Sequence, residues 1–509
     1  MNLELDTQAI SLSQLRQAWE GPLQISVGPT ARESTRASQQ HVESVLAGGE
    51  RVYGVNTGFG QLAQVRISDD ELGHLQENLI RSHAVGVGAP LPDSVVRLTM
   101  LMKAIALARG CSGVRPQLVD AICALVNNRI LPRIPSKGSV GASGDLAPLA
   151  HMAGVLLGFG EVSVDGQVHD AADALAAAGL QTVRLAPKEG LALLNGTQVS
   201  TALALAAVFR AENILAAALV AGAMSSDAIK GSDTPFDARI QEVRGHAGQI
   251  DVAALLRQLM HGSEIRASHL ECDRVQDPYS IRCQPQVAGA CLDVLRHVCA
   301  VLETEANAVT DNPLVFADSA AVLSGGNFHA EPVALAADYL ALAIAETGSL
   351  SERRIALLID SHLSGLPAFL VRDSGLNSGF MMAQVTAAAL ASENKCLAHP
   401  ASVDSIPTSA NQEDHVSMAT SAALRLHSML DNVSMIVAIE ILAACQGVEF
   451  HRPKKSSTAL ESVLAVVRQH SPPYDRDRSL SADIQEIASM IDDGGFVDHA
   501  RSLLPGCAG

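Results

Sequence analysis

Aromatic residues are scarce in this chain: its 509 residues include ten phenylalanines, four tyrosines and one tryptophan. Hydrophobic residues still make up 48% of the chain and charged residues only 18%, with a mean hydropathy of +0.20. Such a composition excludes a disordered chain and predicts an aliphatic, alanine-rich core. Its length allows roughly 3 or 4 average domains, or one large helical unit.

Positive charge is also in short supply. Lysine and arginine total 36 against 54 aspartates and glutamates, a formal net charge of −18. This balance argues against nucleic acid or an anionic membrane as the main partner and favours a small molecule. The uncharged stretch from Gly190 to Phe209 contains Asn195, Gln198 and Ser200, whose polar groups are costly in lipid, so no membrane span is predicted.

Cysteine pairs are missing as well. The nine cysteines are odd in number and form no C-x-x-C motif, which indicates neither a disulfide framework nor a zinc ribbon. Glu4 and Asp6 stand near the start, where a secretory signal would carry cations before an apolar run. We therefore expect a cytoplasmic protein.

Apolar residues recur at helical spacing along most of the chain. From Val287 to Leu302 they form one stripe, and this helix is expected to end before Asp311-Asn312-Pro313. Ile214 to Met224 is apolar on every side, so other helices must cover it. The sequence predicts a mainly α fold, a large bundle with long, partly fully buried central helices.

Strand signals are few. Residues 161–168 alternate around Asp165-Gly166, the dipeptide of a tight turn, and predict one small hairpin. We expect residues 1–200 to form an N-terminal lobe. Residues 201–509 are expected to form a long-helix bundle with a C-terminal helical region, continuous with that lobe.

A turn of small residues runs directly into an apolar helix after Ser139. Asp145 suits the N-cap of that helix, and Pro148 falls in its first turn, where a missing N–H costs nothing. Taken alone, such a segment is an ordinary turn followed by a cap. Similar glycine-rich segments at YGVNTGFG, LNGTQ and SGGNFH are places where a helical bundle can carry a functional site.

The complete motifs resemble those of a known family. Gly141 to Leu149 (GASGDLAPL) is similar to the signature of the aromatic amino acid ammonia-lyases, in which Ala-Ser-Gly cyclises to a methylidene-imidazolone (MIO). The resemblance extends from about Leu15 to Pro453 through VQDPYSIRCQPQ, SGGNFHAEP and NQEDHVSM, among others. It implies an MIO formed from Ala142, Ser143 and Gly144 without an exogenous cofactor, in a homotetramer with shared active sites.

The residue order of the loop has a chemical reason. The amide nitrogen of Gly144 must attack the Ala142 carbonyl, which requires an unhindered nitrogen and a strongly bent backbone. Loss of water from Ser143 then leaves a methylidene carbon. This gives the protein an electrophile, whereas side chains that react covalently are nearly all nucleophiles.

The resemblance also assigns roles to matched side chains. Tyr53 is expected to remove the β-proton of the substrate, which requires a tyrosine pKa well below its usual value of about 10. Tyr279 is expected to touch the MIO and its leaving group. Arg282 is expected to hold the substrate carboxylate through two parallel hydrogen bonds, although an ordinary ion pair is the alternative. Asn195 and Gln276 offer side-chain amides for the substrate carboxylate and the MIO oxygen. Phe328 is expected to pack against the substrate ring.

Substrate choice is expected to depend on Ser82, His83 and Glu413. The Ser-His pair resembles the histidine-selective members of the family, whereas phenylalanine-selective members carry apolar residues there. Imidazole has hydrogen-bonding groups that a benzyl ring lacks, so a pocket with His83 and Glu413 should prefer it. The implied reaction is non-oxidative deamination of L-histidine to trans-urocanate and ammonia, the first step of histidine degradation.

Two alternatives stay open at this point. The chain could be another MIO enzyme, acting on tyrosine or phenylalanine as a lyase or an aminomutase, or a helical scaffold that has lost activity. A metal site is not expected. Glu413 and His415 are two residues apart and point to different faces of a helix, and His329 with Glu331 has the same spacing.

Overall fold

Most of the chain is helical, as its apolar periodicity predicts. The computed structural model describes residues 1–48, 52, 54–57, 67–68, 71–270 and 275–507. Within these residues there are twenty α-helices: α1 (Leu12–Glu20), α2 (Pro29–Ala47), α3 (Leu72–His83), α4 (Asp93–Ala108), α5 (Pro116–Asn127), α6 (Leu146–Leu156), α7 (Ala171–Ala177), α8 (Glu189–Leu194), α9 (Gln198–Ala228), α10 (Ala238–Glu242), α11 (Ala247–Met260), α12 (Glu264–Ala267), α13 (Tyr279–Arg282), α14 (Gln284–Ala306), α15 (Glu331–Ile359), α16 (Ser361–Ser364), α17 (Met381–Leu397), α18 (Ala419–Glu449), α19 (Thr458–His470) and α20 (Ser481–Asp492).

The strands are short and pair in four small sheets within the described part of the chain. They are β1 (Asn2–Leu5), β2 (Gln24–Val27), β3 (Val87–Pro90), β4 (Ile130–Pro132), β5 (Pro135–Lys137), β6 (Glu161–Val164), β7 (Gln167–Asp170), β8 (Leu314–Phe316) and β9 (Ala321–Leu323). The predicted hairpin is confirmed as β6 and β7, and its turn residues Asp165 and Gly166 have φ of +47° and +79°. Strand β4 pairs with β6 as a third strand that the sequence did not predict.

The chain divides into two compact units, which are described separately. All nine strands lie in the first unit. The first unit comprises Met1–Ala206, Cys299–Asp338 and Pro400–Leu424, and the second comprises Ala207–Val298, Tyr339–His399 and Arg425–Gly509.

The expected fully apolar helix is present and buried. Residues 214–224 lie within α9, and all of them are buried. By length and composition alone, α9, α15 and α18 are apolar enough to cross a membrane. The protein itself buries 94% of the most apolar window of α9 and 78% of that of α18. The corresponding window of α15 is 56% buried, since Leu335, Tyr339 and Leu342 are exposed on successive turns.

A buried ion pair lies in the interior of the second unit. The Arg354 guanidinium contacts both carboxylate oxygens of Glu440, at 2.5 Å and 2.8 Å, and the two side chains are 3% and 0% exposed. Ser225 and Ser351 donate their hydroxyls to the same carboxylate at 2.7 Å and 2.6 Å. Glu440 therefore has several hydrogen bonds to compensate for its lost hydration.

Replacement of Arg354 by methionine should destabilise the protein strongly, because Glu440 would stay buried without its cation. We expect a loss of about 3–5 kcal/mol in the free energy of unfolding, measured by urea denaturation. Arg501→Met is the control, since Arg501 pairs with Asp498 at the surface, where a loss of about 0–1 kcal/mol is usual. Equal losses in the two variants would contradict this account.

Candidate active site

The Ser139–Gly144 loop is bent by two glycines in the left-handed region. Gly141 has φ +65° and Gly144 has φ +73°. A Cβ atom at Gly144 would approach the backbone of Gly196 closer than 3.0 Å, and one at Gly141 would approach the Ser417 hydroxyl equally closely. Both positions therefore require glycine for conformation and for space. The loop thus lies directly against the LNGTQ segment that the sequence singled out.

Asp145 fixes the end of this loop to the start of another helix. It occupies the N-cap position of α6, as predicted, but its carboxylate does not cap α6. Instead it accepts hydrogen bonds from the backbone amides of Val199 and Ser200 at 3.0 Å and 2.8 Å, in the first turn of α9. The predicted cap was therefore wrong in its partner. Hydroxyl groups also donate to this carboxylate: those of Ser139, Ser200 and Thr420.

Two distant segments of the first unit are tied to the same loop. The amide of Ala330 donates to the Gly141 carbonyl at 3.2 Å, and the Ser417 hydroxyl donates to that carbonyl at 2.9 Å. The amide of Met418 donates to the Val140 carbonyl at 2.8 Å. The SGGNFHAEP and NQEDHVSM motifs therefore meet the loop in space, although they are separated from it by nearly 200 residues or more.

Asn195 contacts the central residue of the loop. Its side-chain nitrogen donates to the Ser143 carbonyl oxygen at 2.7 Å, while its own Oδ1 is buried and accepts no hydrogen bond from the residues that the structure describes. The backbone carbonyl of Asn195 accepts from the ammonium of Lys103 at 2.8 Å, and the Ala192 carbonyl accepts from it at 3.1 Å. Lys103 thus binds the carbonyl end of α8 and holds the residue whose amide reaches Ser143.

Lys103 lies in an unusual environment for a cation. Burial is the main reason that its pKa falls to about 7, partly offset by the negative charge of Asp311 and reinforced by the positive charge of Lys188. Lys188 and Asp311 form their own buried ion pair at 2.7 Å. Sequence reasoning missed Lys103, although a single lysine in the apolar run of α4 is a usable signal.

Glu413 points one carboxylate oxygen at the loop. Its Oε1 accepts a very short hydrogen bond from the Ser143 hydroxyl, while Oε2 accepts from Thr408 and Ser409 at 2.6 Å and 2.8 Å. Burial alone would raise the pKa of Glu413. The three hydroxyl donors and the nearby charge of His83 outweigh burial and hold its pKa below the ordinary value. Glu413 therefore carries a negative charge beside Ser143.

His83 ends helix α3 with one ring nitrogen already engaged. Its Nδ1 lies 2.8 Å from the Leu79 carbonyl oxygen and 3.1 Å from the Ser82 hydroxyl. A carbonyl only accepts, so Nδ1 carries the proton and Nε2 remains for another partner. The Leu79 carbonyl thus fixes the ring of His83, and the Ser82 hydroxyl donates to the same carbonyl at 3.2 Å.

Three predicted residues lie in the second unit. Tyr279 begins α13 and is 72% exposed, and the guanidinium of Arg282 lies over its ring, 5.2 Å from the ring centre. Gln276 and Arg282 line an open cleft of about 520 Å³ together with the buried Asp277. The second unit therefore brings Gln276, Tyr279 and Arg282 together locally.

Two other predicted residues complete the comparison with the sequence. Tyr53 lies outside the described residues. Phe328 is half-buried and stands two residues before Ala330, whose amide is bonded to Gly141. Five predicted residues lie in the loop or contact it directly: Ala142, Ser143, Gly144, Asn195 and Glu413.

Comparison with known proteins shows which family the chain belongs to. The profile of the family described as aromatic amino acid lyase matches residues 10–469. The chain belongs to the aromatic amino acid lyase family. It is 60% identical over 503 residues to histidine ammonia-lyase from Paracidovorax citrulli, covering 99% of this chain and 98% of that protein.

Solved structures of relatives agree with the family assignment. Histidine ammonia-lyase from Trypanosoma cruzi has a TM-score of 0.91 at 41% identity, covering 99% of this chain and 96% of that one. Tyrosine aminomutase from Streptomyces globisporus has a TM-score of 0.93 at 34% identity and covers 99% of both chains. The helical fold is thus that of the aromatic amino acid lyases, and the fold alone does not separate lyases from aminomutases.

In this aromatic amino acid lyase the contact between Gly144 and Gly196 should be intolerant of a methyl group. Gly144→Ala would add both a left-handed alanine and a clash with backbone, whereas Gly166→Ala adds only the former, since its φ is +79° in open space. We expect Gly166→Ala to lower the free energy of unfolding by about 1–2 kcal/mol. Gly144→Ala should cost about 1–3 kcal/mol more, the usual scale of overpacking. If urea denaturation gave similar losses of unfolding free energy for the two variants, the clash with the Gly196 backbone would not contribute to the cost.

Proposed function

We propose that this aromatic amino acid lyase converts L-histidine to trans-urocanate and ammonia, the first step of histidine degradation. The observation that carries the proposal is the carboxylate of Glu413, ionised and aimed at Ser143. The high identity to proteins named histidine ammonia-lyase, over nearly their full length, supports the same reading. In this reaction the bond between Cα and nitrogen breaks, a β-proton leaves, and a carbon–carbon double bond forms.

We propose further that Ala142, Ser143 and Gly144 cyclise to the MIO group, without an exogenous cofactor. The residues present fit that group. Glycine occupies the position whose nitrogen must attack, and its backbone already lies in the left-handed region. Asn195 donates to the Ser143 carbonyl oxygen, which would become the carbonyl oxygen attached to the imidazolone ring. When formed, the group supplies an electrophilic carbon that turns the substrate amine into a better leaving group.

Asn195 stabilises negative charge at the Ser143 carbonyl oxygen in this proposal. A donor already fixed at 2.7 Å needs little reorganisation when charge develops on its partner. Lys103 holds the backbone of Asn195 in place, so it acts as a positioning residue. Because both groups are buried, their effect on that oxygen is weakly screened by solvent.

Glu413 recognises the imidazole ring in this proposal. Its Oε2 is held by Thr408 and Ser409, and only Oε1 contacts the Ser143 hydroxyl. Cyclisation removes that hydroxyl as water, which leaves Oε1 able to accept from an imidazole N–H. A benzyl ring offers no such donor, so phenylalanine would leave the Oε1 atom of this half-buried carboxylate without one. His83, whose ring is held by the Leu79 carbonyl beside Ser82, provides the second polar contact.

The remaining roles follow the family resemblance. We propose that Tyr53 removes the β-proton and that Tyr279 assists at the leaving group. Arg282 holds the substrate carboxylate, and its position above the Tyr279 ring supports a shared location for these two groups. A side-chain amide and a packing ring complete the proposed set: Gln276 and Phe328.

We also propose a cytoplasmic homotetramer with shared active sites. Eight cysteines among the described residues are free thiols, which suits a reducing compartment. The exposed stripe of Leu335, Tyr339 and Leu342 along α15 is apolar enough to favour contact with another subunit. Besides the other subunits, the proposed partner is the amino acid substrate, with no nucleic acid or membrane partner.

The cyclisation can be tested by mass. A proteolytic peptide spanning Ala142 to Gly144 should be lighter than its gene predicts by two waters, and Ser143→Ala should abolish urocanate formation. Ser462→Ala is the matched control, since Ser462 is exposed on α19, and it should leave turnover unchanged. An unmodified mass in active protein would exclude the MIO. An unmodified mass in inactive protein would favour the scaffold alternative.

Selectivity can be tested at Glu413. Glu413→Gln removes the charge that accepts from imidazole, so kcat/KM for L-histidine should fall by about 10- to 100-fold. The inhibition constant of L-phenylalanine should change much less, because its ring makes no such bond. Asp414→Asn removes a neighbouring exposed charge and should leave both constants close to wild type.

The peptide mass of Glu413→Gln should still be reduced by two waters, which separates recognition from loop cyclisation. Equal losses for histidine and phenylalanine would remove Glu413 as a selectivity element. Urocanate absorbance with L-histidine, and no product from L-tyrosine, would separate the proposed reaction from the other lyases and aminomutases.

A further inference from the structure

Three side chains of the first unit converge beside the loop without a role in the proposed reaction. They are His329, Glu331 and His415, and one potential ligand atom from each lies within 4.8 Å of the other two. His415 Nδ1 and His329 Nε2 are 3.5 Å apart. The two rings have centres 5.5 Å apart and are tilted by 36°, so they are not stacked face to face.

The fold brings these residues together from two separate motifs. Glu331 is the first residue of α15 and His329 lies two positions before it, while His415 is 84 residues further along the chain than Glu331. Both segments are anchored on Gly141, through Ala330 and Ser417. Spacing within each motif gives no sign of a metal site, because the two motifs meet only in the folded chain.

The cluster is incompletely satisfied as it stands. The Oε2 atom of Glu331 is buried and has no hydrogen-bond partner in the described part of the chain. A carboxylate oxygen removed from water without a partner is costly, and a cation is the usual remedy. His329 Nε2 also lies 3.3 Å from the His415 carbonyl oxygen. Rotation of the His329 ring would replace this weak contact with a bond from Nε2 to a metal ion.

We propose that His329, Glu331 and His415 form a binding site for a divalent transition metal of the Zn²⁺ class. Two imidazoles and one carboxylate are the donors that such an ion prefers, whereas Mg²⁺ and Ca²⁺ prefer oxygen donors. Zinc–nitrogen bonds in tetrahedral geometry place two nitrogens about 3.3 Å apart, close to the distance observed between the rings. Water would occupy the remaining positions, because His415 is exposed.

The site would cross-link two segments that carry functional residues. His329 directly follows Phe328, and His415 is two residues after Glu413. A metal ion bound to both segments would therefore restrict their relative motion and stabilise the folded protein. This role does not depend on the proposed reaction, because binding itself is the quantity to be measured.

Calorimetric titration of the untagged, chelator-treated protein with Zn²⁺ tests the proposal. We expect one ion per chain with micromolar or tighter affinity, and a higher melting temperature in its presence. His415→Asn and Glu331→Gln should each weaken binding at least about 10-fold. Loss of a group that only hydrogen-bonds to a metal ligand already costs that much affinity. His169→Asn is the control, as it removes an exposed imidazole from strand β7.

Titration with Co²⁺ separates this site from the cysteines. Its visible spectrum should show nitrogen and oxygen ligation without a thiolate charge-transfer band, and the signal should be lost in His415→Asn. Circular dichroism should show that each variant keeps its helical content. The proposal is overturned if wild type binds no Zn²⁺, if all variants bind it equally, or if a thiolate band accounts for the bound metal.

Discussion

The close approach of Gly144 to Gly196 is the constraint on which the rest of the first unit depends. It brings the small-residue loop against the segment that carries Asn195, with no room for a side chain at either glycine. Asp145 then fixes the contact by accepting from the first turn of α9. The backbone amide of Asp145 also donates to the Gly196 carbonyl at 2.8 Å, so the contact is held from both sides.

Charge in the interior of the first unit serves the same contact. Lys103 is expensive to bury, as its lowered pKa indicates, and yet it has two backbone carbonyls at the end of α8. A cation is favourable at that end of a helix. The ion pair of Lys188 with Asp311 lies close enough to influence it, so the loop is supported by a polar interior rather than by aliphatic packing alone.

The fold class followed from the sequence because helical periodicity is a local property. The buried stretch of α9 and the hairpin at Asp165-Gly166 were predicted for that reason, since both depend on neighbouring residues. The partners of Asp145 were not, because Val199 and Ser200 are more than fifty positions away. Sequence could place an acid before α6 but could not indicate which helix that acid would cap.

The candidate site divides in the same way. Motif resemblance identified Asn195 and Glu413, whereas their atomic partners required the fold. The convergence of His329 and His415 illustrates the limit most clearly, since spacing arguments within each motif excluded a metal that the three-dimensional arrangement can accommodate. Residues that act together across long separations are visible only when the segments carrying them are packed.

The geometry of Glu413 also links loop chemistry to substrate choice. Its two oxygens have different partners, with Thr408 and Ser409 on one and only Ser143 on the other. Loss of the Ser143 hydroxyl would therefore leave the carboxylate oriented by Thr408 and Ser409 while exposing a single acceptor. In the proposed reaction, one dehydration would create the electrophile and prepare the group that recognises imidazole. An uncyclised chain would then lack the electrophile and would also bind histidine weakly, because Glu413 Oε1 would still accept the hydrogen bond from Ser143.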